Sequence, residues 1–566
     1  MPVSDTLAIS RRALPWLAIL VAALWFFLPA LHPVHVEGFS ASVVALGVHL
    51  SRHSIADFMP FAPFNADYYG LTKLGTVLGI SALSPLFGGD GALRLIMIVG
   101  LVFLLAASAF LIRRWSGARW TIVAATILIM PVIAESSFFF NDNVPAAAFC
   151  LVALAVLSHW RSWTAMVAAG VLIGISVATR TDMVLVAVVA VPLLVTEGQD
   201  LKRAAIGTVV AGIAALVTLF GIFALVHSSP LDAIQAGKLA VQLWDRPPSA
   251  LTHLNQFVYA CGLPALALLL LGAASLWRKR EWRRLALLVG VPLLFNLALL
   301  GKMWEVRQFL ILAPFLGALA ARGLEELLAD LTAGRPIMPI ALGLLSLFVI
   351  AGPVSGLGLS DGPRVLSGRI WGISLWRDWQ GAVDRDFGRI DRLIASAPSG
   401  GPLVVLTDTW NEDRYLHLQL LQHGFHRIPQ PASCNMLGVT MQQGGRTVVQ
   451  LTLEPSFISY WPKLMPEQLE QGALPCIAAL HPQQIMFLAK QDRVAPLLGR
   501  QVPDSSTPAA LRAVTMSAII TVSLSAADLN TLDAGYRRIA DPMRGDAQAL
   551  LRKSQLAVSA PSVFSR

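Results

Sequence analysis

The sequence predicts an α-helical polytopic membrane protein of about eleven spans, followed by a C-terminal extracytoplasmic α/β domain. Three observations predict it. Apolar residues make up 55% of the 566-residue chain and charged residues only 14%, with a mean hydropathy of +0.64, whereas soluble chains carry roughly a quarter charged residues. Apolar runs recur at about the length needed to cross roughly 30 Å of hydrocarbon, and only bundled helices satisfy the backbone of such runs in lipid. The basic residues between the runs fall on alternate turns, as the positive-inside bias requires.

The spans are expected at 13–31, 92–112, 120–134, 144–158, 163–178, 183–196, 204–227, 259–276, 285–301, 308–322 and 336–353. With a cytoplasmic N-terminus, the inner loops receive Arg113, Arg114 and Arg119, then Arg161, then Lys202 and Arg203. They next receive Arg278, Lys279, Arg280, Arg283 and Arg284, and finally Arg322 and Arg335. One missed helix would invert every later assignment, so the agreement supports the count. Arg11-Arg12 before the first run resemble the start of a signal peptide, but no convincing cleavage site follows, and the run is read as an uncleaved helix.

The membrane module is thus expected over 1–353, with a first outer loop at 32–90. In that loop the apolar positions of Ser40–His53 suggest a helix on the membrane surface, and a second such helix is expected over Tyr68–Ala82. A separate outer domain is expected over 354–566. Within it Trp379–Ala397 and Asn411–His423 read as helices, and Leu403–Asp408, Thr447–Leu453 and Ile485–Ala489 as strands. Trp371, Trp376 and Trp379 suit an aromatic belt at the surface. The stretch from Val502 to Pro508 is polar.

The formal charge of +9 invites a nucleic-acid reading, but the basic residues are scattered between apolar runs rather than gathered in a patch, so no nucleic-acid partner is expected. Four cysteines exclude a disulfide scaffold; Cys434 and Cys476, in the polar tail, are the two that an oxidising compartment would allow to pair. There is no Walker loop, dinucleotide fingerprint, HExxH or nucleophile elbow.

Charges against a bilayer are costly, about 2.5–3.5 kcal/mol at a helix centre on insertion scales, so the few near the outer ends of spans call for a function first. Glu37, at the mouth of the first span, is a candidate general base, or a solvated loop glutamate. Asp67 and Lys73 follow in the same loop; for Asp67, helix capping and catalysis are both open. Asn141-Asp142-Asn143, before Pro145, reads as an N-cap or as a site for sugar hydroxyls or a cation. Arg180 pairs with Asp182 in the structural reading and holds a phosphate in the functional one; Lys302 and Arg307, around Glu305, pose the same choice. Basic clusters on the outer face run against the positive-inside trend and favour an anionic ligand, for which a lipid phosphate lies at the right depth. His32 and His35 beside Glu37 have a spacing compatible with a divalent metal, although a non-ligand role is the simpler reading.

In order and in common side, these motifs resemble the GT-C superfamily of polyprenyl-phosphate-sugar glycosyltransferases, which includes the aminoarabinose transferases of lipid A and the protein mannosyltransferases. Glu37 follows the first helix in a long outer loop, Asn141-Asp142-Asn143 opens a helix, Gly170-Val-Leu-Ile-Gly174 runs into Thr179-Arg180, and Arg307-Gln-Phe-Leu-Ile-Leu-Ala-Pro314 comes late. The likeness covers about 1–353. The family's first-loop acid is usually Asp, which leaves Asp67 as the other candidate for Glu37's role. The resemblance implies a polyprenyl-phosphate-linked sugar as donor, a membrane lipid environment, and an acceptor lipid, glycan or protein. It also implies phosphate neutralisation by Arg180, Lys302 and Arg307 and inversion at the anomeric carbon. A transporter or flippase of lipid-linked sugars is the main alternative, against which the lack of a repeat and the charges at one surface speak, and a non-catalytic anchor for the outer domain is the second, which would not need eleven spans with charged outer junctions.

Overall fold

The computed structural model describes residues 43–52, 71–133, 142–195, 201–234, 249–301 and 306–332, and in the C-terminal part 401–407, 416–428, 438–452, 484–489 and 518–520, apart from single positions inside those ranges and with isolated residues besides. The expected first and last spans, the tryptophan belt, Cys434, Cys476, the 502–508 stretch, His32, His35, Glu37, Asp67, Asn141, Lys302 and Glu305 lie outside the described residues. The chain divides into two compact units, a helical one within Tyr69–Lys238 and Arg246–Arg377 and a second within Glu37–Tyr68, Leu239–Asp245 and Asp378–Arg566.

The helical unit begins with α1 (Leu74–Ser116), a single element broken at Gly88, whose φ of 69° and ψ of 171° no side-chain-bearing residue adopts cheaply. The break separates the expected loop helix from the expected second span, which the sequence treats as distinct runs. Next come α2 (Trp120–Ile129), ended by extended Met130 before Pro131, and α3 (Asn143–His159). Then follow α4 (Trp163–Thr179), α5 (Met183–Val195) and α6 (Leu201–Ala224). Ser162 caps α4 by accepting from the Ala165 N–H at 3.2 Å.

The later helices depart further from the apolar runs. The region expected as loop up to 258 is helical from Ala250, giving α7 (Ala250–Cys261) and, past residue 262, α8 (Leu263–Arg278). α9 (Trp282–Leu285) passes through a π-helical turn, Ala286–Gly290, into α10 (Val291–Ala298). Pro292 explains the turn: without an N–H it cannot bond the Leu288 carbonyl, and its ring crowds that carbonyl outward. Val306–Leu312 winds as a 3-10 helix before α11 (Ala313–Thr332), with Pro314 in the first turn of α11 where its missing N–H costs nothing.

Small residues set the helix contacts, as bilayer packing favours. A Cβ on Gly170 would lie 2.3 Å from the Ala211 carbonyl oxygen and one on Gly174 2.6 Å from that of Ala215, so α4 and α6 touch backbone to backbone. Gly272 of α8 and Gly323 of α11 do the same, at 2.0 Å from the Leu319 carbonyl oxygen and 2.1 Å from that of Leu268. Outward faces are apolar. Ile206, Val209, Ile213, Leu216, Val217 and Phe220 of α6 are all exposed, and only 17% of that helix's apolar window is buried. A core helix of a soluble protein would be mostly covered; these faces call for lipid. Two described helices, within Leu74–Ser116 and Lys202–Ala224, are long and apolar enough to cross a membrane.

The second unit holds a six-stranded sheet ordered β2-β3-β4-β1-β5-β6. β1 (Pro402–Thr407) pairs parallel with β4 (Arg446–Thr452) and β5 (Gln484–Ala489), and these are three strands that the sequence predicts. The antiparallel flanks, β2 (His426–Arg427), β3 (Gly438–Gln443) and β6 (Ala518–Ile520), are additions. Gly444-Gly445, with φ of 51° and 82°, closes the β3–β4 hairpin in the tight turn such strands prefer.

Candidate functional site

Three helix ends of the helical unit meet at one pole: the start of α1, the start of α3 and the end of α4. Their approach is set by residues that leave no room. A Cβ on Gly75 would fall 2.2 Å from Thr179 Oγ1, and one on Gly100 3.3 Å from the Pro145 Cα. The Ser176 hydroxyl donates to the Ala146 carbonyl at 2.7 Å, tying α4 to α3.

Four ionisable side chains converge there. Lys73, directly before α1 and 6% exposed, donates from Nζ to Asp142 Oδ2 at 2.5 Å. Arg180, at the end of α4, grips Asp182 with two parallel bonds, Nε to Oδ1 at 2.9 Å and Nη2 to Oδ2 at 2.7 Å. Its Nη1 reaches Asp142 Oδ2 at 3.4 Å. The side chains of all four are between 8% and 14% exposed, so the cluster is close to dry.

The geometry places two residues for which the sequence left a choice. Asp142 stands at the N-cap position of α3, but its carboxylate makes no capping bond; it faces the two cations instead. Arg180 does pair with Asp182, the structural reading, and also reaches Asp142. Burial alone would push the Asp142 carboxyl up, but the Lys73 ammonium and the Arg180 guanidinium hold it below its ordinary value. The formal charges of the four cancel, two against two. A divalent cation would have to displace Lys73 and Arg180 from the carboxylates, and among the described residues no group of three or more His, Cys, Asp or Glu gathers to hold one.

Of the other residues singled out by sequence, Asn143 is buried in the first turn of α3, 3% exposed. Arg307 is half-buried in the 3-10 segment, which packs on α3, α7 and α11. Sequence reasoning missed a polar pair beside that segment. His253 of α7, 1% exposed, shares a 2.9 Å hydrogen bond between its Nε2 and Asn296 Oδ1 of α10, and its ring meets Phe309 edge-on at 5.3 Å. The signal was available: His253 and Gln256, spaced i, i+3, lie on one face of α7, and both are buried.

No protein-family model matches the chain, and no curated protein matches its sequence. Among solved structures, the chain is similar to ArnT. The apo crystal structure of ArnT from Cupriavidus metallidurans matches with a TM-score of 0.46 and 17% identity, covering 73% of this chain and 85% of that one. ArnT bound to undecaprenyl phosphate matches with a TM-score of 0.47 and 16% identity, over 72% and 85%. The Archaeoglobus fulgidus oligosaccharyltransferase in complex with zinc and sulfate gives a TM-score of 0.39 and 16% identity, over 71% of this chain and 61% of that one.

Proposed function

We propose that this chain is an integral membrane glycosyltransferase that moves a sugar from a polyprenyl-phosphate donor to a cell-envelope acceptor on the extracytoplasmic side, with inversion. The observation that carries the proposal is the dry Lys73–Asp142–Arg180–Asp182 cluster at a pole opposite the basic loops. Two buried cations at a span end suit a lipid-borne phosphate, whose headgroup lies at that depth. Arg180 is already oriented: Nε and Nη2 are committed to Asp182, while the 3.4 Å contact of Nη1 with Asp142 is the long one that a phosphate oxygen can replace. Lys73 is the second cation within reach, and Arg307 and Lys302 complete the set expected from the sequence.

The reaction then needs little else. A first-loop carboxylate, Glu37 or Asp67, takes the proton of the acceptor hydroxyl, and the oxygen attacks the anomeric carbon opposite the phosphate. The glycosidic C–O bond breaks toward phosphate, whose charge Lys73, Arg180 and Arg307 stabilise. Phosphate leaves without a general acid, unlike the leaving group in glycoside hydrolysis. Asn141 and Asn143 are the candidates for the sugar hydroxyls.

Sugar transfer from polyprenyl-phosphate-sugar donors in nanodiscs tests the reading, with wild type set beside Glu37→Gln, Asp67→Asn and Lys73→Met. Transfer lost in one carboxylate variant with donor binding retained identifies the base; donor binding lost in Lys73→Met supports the phosphate role. Wild-type protein that consumes no such donor but moves lipid-linked sugar across vesicles is a transporter, and the proposal fails.

A further inference from the structure

The opposite pole of the helical unit carries a second collection of charges. The turn between α8 and α9 holds Trp277-Arg-Lys-Arg-Glu-Trp-Arg-Arg284, and the turn between α1 and α2 holds Arg113, Arg114, Arg119 and Trp120. The end of α11 joins them. Arg322 donates to the Ser116 carbonyl at 3.2 Å and reaches Glu281 at 3.4 Å, and Arg119 reaches Glu325 at 3.3 Å. The two turns therefore share one corner.

Its acids are spent. Glu326 accepts from Lys279 at 2.5 Å and from Ser275 at 2.8 Å, Glu281 accepts from Arg284 at 2.6 Å, and Glu325 is taken by Arg119. Arg114, Arg278, Arg280 and Arg283 are exposed, and among the described residues none of them has an acidic partner. The positive-inside bias accounts for cations at this pole but not for what Arg280 does. Its φ is 58°, in the left-handed region. It closes α8 as the residue after a helix end, with its N–H bonded to the Trp277 carbonyl and the Glu281 N–H bonded to the Leu276 carbonyl, both at 3.0 Å. Glycine is the usual occupant of that position because an L side chain is strained there. Arg278 and Lys279 already supply positive charge to the helix end, so the strain brings a further exposed guanidinium for no evident structural gain.

Around these arginines the surface is apolar. Trp277 and Trp282, 63% and 48% exposed, meet edge-to-face at 4.7 Å across the turn. Leu270, one heptad before Trp277 on α8, and Val289 and Leu293 beyond the turn are exposed as well. Guanidinium groups beside interfacial indoles, with aliphatic rows running away from them, match a phosphate headgroup joined to acyl chains. A soluble anion would use the cations and leave the rows uncovered.

We propose that the corner formed by Arg278, Arg280, Arg283 and Arg114, with Trp277 and Trp282, binds the headgroup of an anionic phospholipid. The proposal rests on reading these helices as membrane spans, with this pole at the inner surface. It does not depend on the transferase reading. Nanodiscs present both leaflets, so the test is also independent of orientation.

The test measures retention of phosphatidylglycerol over phosphatidylcholine by the full chain, by native mass spectrometry and by titration in nanodiscs of the two lipids. Wild type is expected to prefer phosphatidylglycerol. Arg280→Gly should lose about fivefold in affinity and the triple variant Arg278→Gln, Arg280→Gly, Arg283→Gln on the order of a hundredfold, from the worth of each surface arginine near anionic lipid. Arg280→Gly also relieves the left-handed strain, so its thermal stability should hold or rise while lipid is lost. Lower stability with unchanged lipid binding would mean a structural arginine and would overturn the proposal. So would a wild type indifferent to the two lipids, which would point to an acidic protein partner instead. Inorganic phosphate that displaces the lipid as effectively as phosphatidylglycerol itself would also overturn it, in favour of a free-anion site.

Discussion

The two poles of the helical unit handle charge in opposite ways. At one, Lys73, Asp142, Arg180 and Asp182 are nearly dry and their charges cancel. At the other, Arg322, Lys279, Arg284 and Arg119 answer Glu281, Glu325 and Glu326, the pairs are partly hydrated, and cations remain in excess. The same helices carry both: α1 and α3 each begin at the dry pole and end at the wet one, where Phe110 and His159 meet with ring centroids 5.9 Å apart. The desolvated pole is where removing one member leaves an uncompensated charge. At the hydrated pole water replaces a lost partner.

The contrast is broken most severely by Asp142→Ala. It removes the carboxylate that Lys73 and Arg180 share in a dry site and leaves only Asp182, which Arg180 already grips, so a cost of about 3–5 kcal/mol is expected for unfolding in detergent. Next comes Gly75→Ala, whose new methyl must push Thr179 or α1 aside; about 1–3 kcal/mol of stability is expected to be lost. Donor-phosphate binding should weaken with it, because Lys73 moves away from Arg180. Restoring space with a second change, Thr179→Ala, which removes the Oγ1 that the new methyl meets, should recover part of both.

A pH series sharpens the comparison. The Asp142 carboxyl is held below its ordinary value near 3.8, so the unfolded chain takes up a proton there before the folded one as pH falls. The stability it contributes is complete well above that value and is lost as pH drops through the lower folded value. Unfolding midpoints followed into the acid range should fall for wild type and flatten in Asp142→Asn. Glu326 is lowered from its ordinary 4.5, first by its hydrogen bond from Lys279, and obeys the same sign. Being hydrated, it should matter least: Glu326→Gln is expected to change stability by no more than about 1 kcal/mol, with the difference shrinking in high salt.

What the sequence made legible at the dry pole follows distance along the chain. Arg180 and Asp182 are two residues apart, and their pairing is foreseeable from spacing alone. Asp142 finds its partners 69 and 38 residues away, so a local reading has only the N-cap to offer, and it is the cap bond that is missing. Helices with uniform apolar runs, α3 to α6, were legible within a few residues because hydropathy and end signals agree. α7 was not: His253 and Gln256 lower its hydropathy, yet both turn inward, one onto Asn296, so polarity there marks a buried contact rather than a loop. In the second unit the buried parallel strands announced themselves as apolar runs. β3, with its polar Gln442 and Gln443, did not, although the Gly444-Gly445 pair that follows it marks a hairpin.

The 3-10 winding of Val306–Leu312 has a mechanical meaning. A 3-10 helix rises about 2.0 Å per residue and turns about 120°, against about 1.5 Å and 100° in an α-helix. Rewinding seven residues as α-helix would shorten the segment by about 3.5 Å and swing its first residues through about 140° relative to α11. The position of the Arg307 guanidinium is therefore a matter of gearing: the pitch of one short segment, pinned behind by Pro314, fixes both how far the charge stands from the bundle and the direction in which it faces.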